Sequence, residues 1–302
     1  MTESVNMAKT KPRHLNEDPL AFLHRSVKER INYIRSPRWI GYPRAQSILA
    51  QLDDLIDFPR TDRMKNILIY GESNAGKSMI ARRYRERYRV REVEKEERFD
   101  VPVLLIQSPP VANENRLYGN ILEAIFAPIS PNDTAEKRYR QLIKLLPELE
   151  VKVLVIDEFH AMLNGTKDKQ KALITALRLL SNELQIPIVA FGTVEALRVL
   201  KTDPQLDTRF QKISLPRWHY DTDFRRLLVS FERMLPLQQP SNLSSKVISR
   251  KVFDMSEGVL GEVSDVLTEA AVTALRCGEE KVTTSTLEKM NWETPTERRV
   301  KR

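Results

Sequence analysis

Eight consecutive residues constrain this chain more than any others. Gly71-Glu72-Ser73-Asn74-Ala75-Gly76-Lys77-Ser78 fits the spacing G-x-x-x-x-G-K-[ST] at every fixed position. The apolar run Ile67-Leu68-Ile69-Tyr70 precedes it and a helical pattern follows over 77–90, the strand–loop–helix setting this spacing requires. Glycines let the backbone wrap a polyphosphate, whose charge then sits against amide N–H groups and a helix N-terminus. Lys77 is placed to reach the β- and γ-phosphates, and the Ser78 hydroxyl to ligate a magnesium ion. Gly71, Glu72, Ser73, Asn74, Ala75, Gly76, Lys77 and Ser78 thus form the expected binding set for ATP and Mg²⁺. The alternative is a Gly-containing structural turn.

The second half of such a site is an acid at the C-terminal end of another buried strand. Val153-Leu154-Val155-Ile156 leads into Asp157-Glu158, which supplies it. Asp157 would hold Mg²⁺, and Glu158 would orient and activate the attacking water. Adjacent acids after a strand can also cap the next helix.

Short apolar runs recur between helical stretches. Ile67–Tyr70, Val103–Ile106, Val153–Ile156 and Ile188–Phe191 read as strands, continuous enough to be parallel and covered on both faces. Helical patterns lie between them near 77–90, 113–127, 134–149 and 168–185, which makes the fold an α/β parallel sheet flanked by helices. One helix is expected from about Asn16 to Ser36 and a second from Pro43. After Pro216 only helical patterns remain, over 221–235, 243–255, 262–276 and 284–290. The expected organisation is a disordered tail over 1–15, N-terminal helices over 16–60, an α/β core over 61–217, a small all-helical unit over 218–290 and a basic tail over 291–302.

Forty-nine Lys and Arg stand against 41 Asp and Glu, a net charge of +8, which favours polyanionic partners. The stretch Ala81–Arg89 interleaves arginines with Tyr84 and Tyr88, and reads either as a solvated helix face or as a nucleic-acid surface. No apolar run approaches the roughly 20 residues needed to span a bilayer, so no membrane association is expected. The opening residues lack the apolar segment of a secretory signal, and the lone Cys277 cannot form an internal disulfide. Both point to a cytoplasmic protein. Four scattered histidines and one cysteine make no structural zinc site.

The order of phosphate loop, Val-Leu-Val-Ile-Asp-Glu, a strand ending at Gly192-Thr193, the pair Arg209-Phe210 and a helical lid resembles an AAA+ ATPase. The resemblance implies that Thr193 contacts the γ-phosphate or the water as sensor 1, and that Arg209 is an arginine finger reaching a neighbouring subunit. A surface ion pair is the other reading of Arg209. Trp39-Ile40-Gly41-Tyr42-Pro43-Arg44-Ala45 resembles the adenine-side box, implying that Tyr42 lies by the base, or else it is a turn before a helix. The segment Glu257–Ser264 lacks the arginine that many such lids carry as sensor 2.

Within that class the chain is similar to the TniB/TnsC group of transposition helpers, related to IstB and MuB. Besides the loop, the likeness rests on Trp39–Pro43, Leu104–Pro110, Val153–His160 and Ile186–Thr193. It implies a sequence-tolerant, ATP-dependent binder of double-stranded DNA that forms a homo-oligomer, ring or filament, and recruits or stimulates a DDE transposase. DNA contacts would come from the helix starts near 111–117 and 132–138, by Arg116, Thr134 and Lys137, which otherwise are plain helix-start residues. A helicase loader of the DnaC type shares these features and differs in partner, and a slowly hydrolysing ATP-gated scaffold is a further reading. Asp157-Glu158-Phe159-His160 also fits the D-E-x-H box of superfamily-2 helicases, but no second motor domain follows; His160 then reads as an ordinary loop residue.

Overall fold

The computed structural model describes residues 14–93 and 98–301. Most of the tail expected over 1–15 lies outside them. The described residues divide into two compact units, one spanning Pro43–Pro216 and the other joining the residues up to Tyr42 with those from Arg217 onward. The helices expected as one block over 16–60 are therefore split at Tyr42.

The split unit is helical. Its first part holds α1 (Glu17–Phe22) and α2 (Val27–Arg35) in place of the single helix expected from Asn16 to Ser36. The break has a local cause: Ser26 and Glu29 form a reciprocal capping box that starts a new helix.

The α/β unit runs α3 (Pro43–Asp53), β1 (Asn66–Gly71), α4 (Lys77–Arg87), β2 (Arg91–Val93), β3 (Arg98–Asp100), β4 (Val103–Gln107), α5 (Glu114–Ala124), α6 (Ala135–Glu148) and β5 (Val153–Asp157). After a 3-10 turn at Phe159–Leu163 come α7 (Lys167–Leu184), β6 (Ile188–Gly192), α8 (Ala196–Lys201), α9 (Pro204–Asp207) and β7 (Phe210–Leu215). Five parallel strands lie in the order β4-β5-β6-β1-β7, and β2 and β3 form a separate antiparallel pair.

Every residue of β5 and β6 is buried, as continuous apolar strands covered on both faces must be. Leu68, Leu154, Ile156, Ile188 and Ala190 share a core with Leu117 and Ile121 of α5, Leu142 of α6 and Leu177 of α7. Each such side chain contributes about 1.5–3 kcal/mol on burial. The alternate residues, Ile67, Ile69, Val153, Val155, Val189 and Phe191, are equally buried, and α4 packs on β1, β4, β5 and β6. Strand β7 is an edge absent from the sequence reading: Phe210, Ile213 and Leu215 are buried, while Gln211, Lys212 and Ser214 are exposed. Helix α3 lines it, with the Arg44 guanidinium donating to the Ser214 carbonyl at 2.9 Å and the Gln211 amide donating to Gln51 at 3.1 Å.

The tyrosines of the basic stretch after the loop serve packing. Tyr84 is fully buried and donates to the Leu52 carbonyl at 2.6 Å, while Tyr88 donates to Asp53 at 3.1 Å. Arg87 pairs with the same Asp53. The aromatics of the stretch bind α4 to its own domain, and Arg82 and Arg85 are exposed.

The helical unit resumes with α10 (Thr222–Glu232), α11 (Lys246–Ser256), α12 (Leu260–Arg276), α13 (Thr284–Glu288) and α14 (Pro295–Val300). Phe224 and Phe253 meet edge to face at 5.2 Å in its core. Arg30 of α2, 3% exposed, donates to the Pro236 carbonyl and pairs with Glu280 at 2.5 Å, which fastens the N-terminal helices to this unit. The segment expected as a basic tail is ordered as α14: Arg298 pairs with Glu262 of α12, and Trp292 donates to the Met255 carbonyl at 3.0 Å.

Candidate active site

Strand β1 ends at Gly71 and α4 begins at Lys77, so the intervening loop must reverse tightly. Gly76 takes φ +88° and Asn74 φ +63°, left-handed conformations that glycine and asparagine tolerate best. Gly76 caps α4 without a side chain, which leaves the first-turn N–H groups for an anion. Lys77 is only 6% exposed, and its ammonium donates to the carbonyls of Gly71 at 3.1 Å and Glu72 at 2.6 Å. Burial pushes its pKa below the ordinary lysine value, against the opposing pull of Glu158, Asp157, Glu195 and Glu72.

The strand registers bring the acids to the same edge. Tyr70 lies beside Gly192, and Ile156 beside Ala190, so the C-terminal ends of β1, β5 and β6 are level. Asp157 is buried, and its carboxylate accepts the Glu158 N–H at 2.9 Å. Glu158 itself adopts φ +56° and ψ +36° and is exposed. A left-handed residue with a Cβ costs roughly 1–2 kcal/mol, and such outliers gather at functional sites. Its carboxylate lies 3.3 Å from Nε2 of His160. Thr193, directly after β6, donates its hydroxyl to Glu195 and its backbone N–H to Nδ1 of His160 at 3.4 Å. The Thr193 hydroxyl is the main reason the Glu195 carboxyl stays below the usual carboxylate range. The Thr193–His160 contact carried no sequence signal, because it depends on how β6 lies beside β5, and the Thr193–Glu195 contact depends on the turn after β6.

For Mg²⁺, the Ser78 hydroxyl and the Asp157 carboxylate are hard oxygen donors of the kind it takes alongside phosphates and water. Among the described residues no group of three or more His, Cys, Asp or Glu could cage a metal by itself. That set fits an ion brought with the nucleotide.

Arg209 is not part of this cluster. It precedes β7, its carbonyl accepting the Asn66 N–H at 3.0 Å, at the N-terminal end of the sheet. Five strand residues separate that end from Gly71, about 16 Å at roughly 3.3 Å per residue. One of its terminal nitrogens donates to Asn182 of α7, and its Nε is buried without a partner. Tyr42 belongs to the helical unit, where it is buried and meets Trp218 edge to face at 5.3 Å. Glu262, in the first turn of α12, lies in the segment that lacks a sensor-2 arginine.

Arg116, Thr134 and Lys137 come together at the paired starts of α5 and α6. The Asn115 amide donates to the Asp133 carbonyl at 3.1 Å, and Arg138 donates to the Asn115 carbonyl at 2.9 Å. Arg116 is exposed. Thr134 is the N-cap of α6, accepting the Lys137 N–H at 3.2 Å, and the Lys137 ammonium pairs with Asp133 at 2.5 Å.

A five-stranded parallel sheet with β6 inserted between the loop strand and the acid strand, and a helical unit after it, defines an AAA+ P-loop ATPase. The fold is that of the Aeropyrum pernix ORC2 protein in its ADPNP–ADP complexes, with a TM-score of 0.63 and 16% identity over 85% of this chain and 70% of that one. Cdc6p from Pyrobaculum aerophilum gives 0.60 and 20% over 83% and 68%, and the Aeropyrum pernix ORC1 protein in complex with DNA gives 0.54 and 17% over 86% and 67%. No curated protein sequence matches the chain. The family model for the bacterial TniB protein matches residues 30–220, well over half the chain. The protein belongs to the TniB family. It binds ATP and is an ATPase. Among the described residues no helix is long and apolar enough to cross a membrane.

Proposed function

We propose that this ATPase binds target duplex DNA with little sequence preference, assembles there as a homo-oligomer in the ATP state, and recruits or activates a DDE transposase. The observation that carries the reading is the TniB match across the whole ATPase core. The ORC1 relative known in complex with DNA supports the DNA part.

In this reading Lys77 and the N–H groups of the loop hold the phosphates, and Tyr42 is the adenine-side residue. Ser78 and Asp157 would hold Mg²⁺, which when bound would supply positive charge against the transferred phosphoryl group. Glu158 takes a proton from the attacking water, and Thr193 turns its hydroxyl from Glu195 toward the γ-phosphate. The position of Arg209, about 16 Å along the sheet from Gly71, favours action in a neighbouring copy's site rather than its own. Arg116, Thr134 and Lys137 would meet DNA phosphates, which gives affinity without base readout.

A slowly turning ATP-gated scaffold is the second reading, favoured by the segment Glu257–Ser264, which carries no arginine to serve as sensor 2. Electron micrographs of the protein with duplex DNA, compared in ATP, a non-hydrolysable analogue and ADP, test the proposal. Rings or filaments only with triphosphate are expected. Equal assembly in ADP would overturn the gating, and no assembly on DNA in any state would overturn the DNA role.

A further inference from the structure

His160 stands between the two groups that the site needs to coordinate, and nothing in the reading above uses it. It is the second residue of the 3-10 turn that follows Glu158, anchored by the fully buried Phe159 and closed by the Ala161 N–H donating to the Glu158 carbonyl at 2.8 Å. Room for this turn comes from Gly192. A Cβ there would stand 3.3 Å from the His160 nitrogen and 2.8 Å from the Ala196 Cβ.

The hydrogen bonding fixes the tautomer. Nδ1 accepts the Thr193 N–H, so in the neutral ring the proton sits on Nε2, the nitrogen 3.3 Å from Glu158 Oε2. Imidazole therefore offers a donor to one carboxylate oxygen and leaves the other for water. The Glu158 side chain is half exposed and would otherwise sample several rotamers. Its other polar neighbours are engaged: the Thr193 hydroxyl by Glu195 and the Lys77 ammonium by the Gly71 and Glu72 carbonyls, while Asp157 is itself an acid.

We infer that His160 is a positioning residue that ties the carboxylate of Glu158 to the backbone of the Thr193 turn, so that the end of β6 and the water-activating group move as one hydrogen-bonded unit. The inference rests on Glu158 being the general base. A shift of the β6 end, of the kind a γ-phosphate contact at Thr193 would produce, is transmitted through a rigid ring to the carboxylate two residues before it.

Three variants separate this from a merely structural role. His160→Ala should lower kcat for ATP hydrolysis on the order of 10- to 100-fold, the effect of losing orientation at a reacting group, with the Kd for ATP unchanged. His160→Gln sets an amide N–H where Nε2 stands and should recover most of the rate. His160→Asn sets an acceptor where Nδ1 stands, keeping the Thr193 bond alone, and should not. Thermal melting monitors folding, and if the alanine variant does not fold, the Gln-against-Asn comparison decides.

Wild-type kcat in His160→Ala, or equal recovery by Asn and Gln, would overturn the inference. Glu158→Gln is measured alongside. If it hydrolyses ATP like the wild type, the base assignment fails and takes the inference with it; if it is inactive while His160→Ala is fully active, only the inference fails.

Discussion

Lys77 is bound to its own loop as well as aimed at phosphate. Its ammonium satisfies the carbonyls of Gly71 and Glu72 in a buried position. Lys77→Ala should therefore cost about 2–5 kcal/mol of ATP binding, and also about 1–3 kcal/mol of stability from the orphaned acceptors. Calorimetric titration with ATP and a denaturant curve measure the two effects. Full affinity in a folded variant would remove Lys77 from the phosphate site. Glu158 offers the opposite case, since its left-handed backbone is a cost the fold carries at the site. Glu158→Gly should end hydrolysis and raise stability by about 0.5–1 kcal/mol, the strain relieved less the added freedom of the unfolded chain. A less stable variant would show that the side chain's contact with His160 outweighs the strain. Both residues could be singled out from the sequence, because the loop and the strand-end acid are local patterns. Their partners could not, since backbone carbonyls leave no mark in the side-chain pattern and the Glu158–His160 contact depends on the turn between them.

At the scale of elements, legibility followed burial. β1, β4, β5 and β6 were readable because burial on both faces demands unbroken apolar runs. β7 was not, because exposed Gln211, Lys212 and Ser214 break its apolar run. The break between α1 and α2 was missed for another reason: apolar spacing continues across Ser26, and only the capping box interrupts it. The starts of α5 and α6 carry the prediction for DNA. Lys137 spends its charge on Asp133, whose carboxyl lies below its ordinary range chiefly through that contact. Asp133→Asn keeps an acceptor for the Ser130 N–H and releases the ammonium. Binding to duplex DNA in ATP should then tighten, and the slope of log affinity against log salt should steepen by about 0.9 per chain, one further phosphate neutralised. Fluorescence anisotropy across a salt series measures it. An unchanged slope would take Lys137 out of the DNA contact.

The whole molecule is incomplete as a catalyst if Arg209 serves another copy. Arg209→Ala should leave ATP binding intact and slow hydrolysis on the order of a thousandfold. Mixing it with Glu158→Gln subunits should restore activity wherever an intact Glu158 meets an intact Arg209. No recovery at any ratio would place the arginine outside the chemistry. If copies assemble on a template as proposed, they also face a hazard that a solitary enzyme does not. The outer side of β7 is a sheet margin, and margins invite another chain to add itself as a sixth strand. The Arg44 guanidinium on the Ser214 carbonyl, the paired glutamines 51 and 211, and the ion pair of Lys212 with Asp207 clothe that margin in polar groups belonging to its own domain. Copies brought side by side would thus be steered away from cross-strand fusion by polar groups of α3 and α9 laid along the rim.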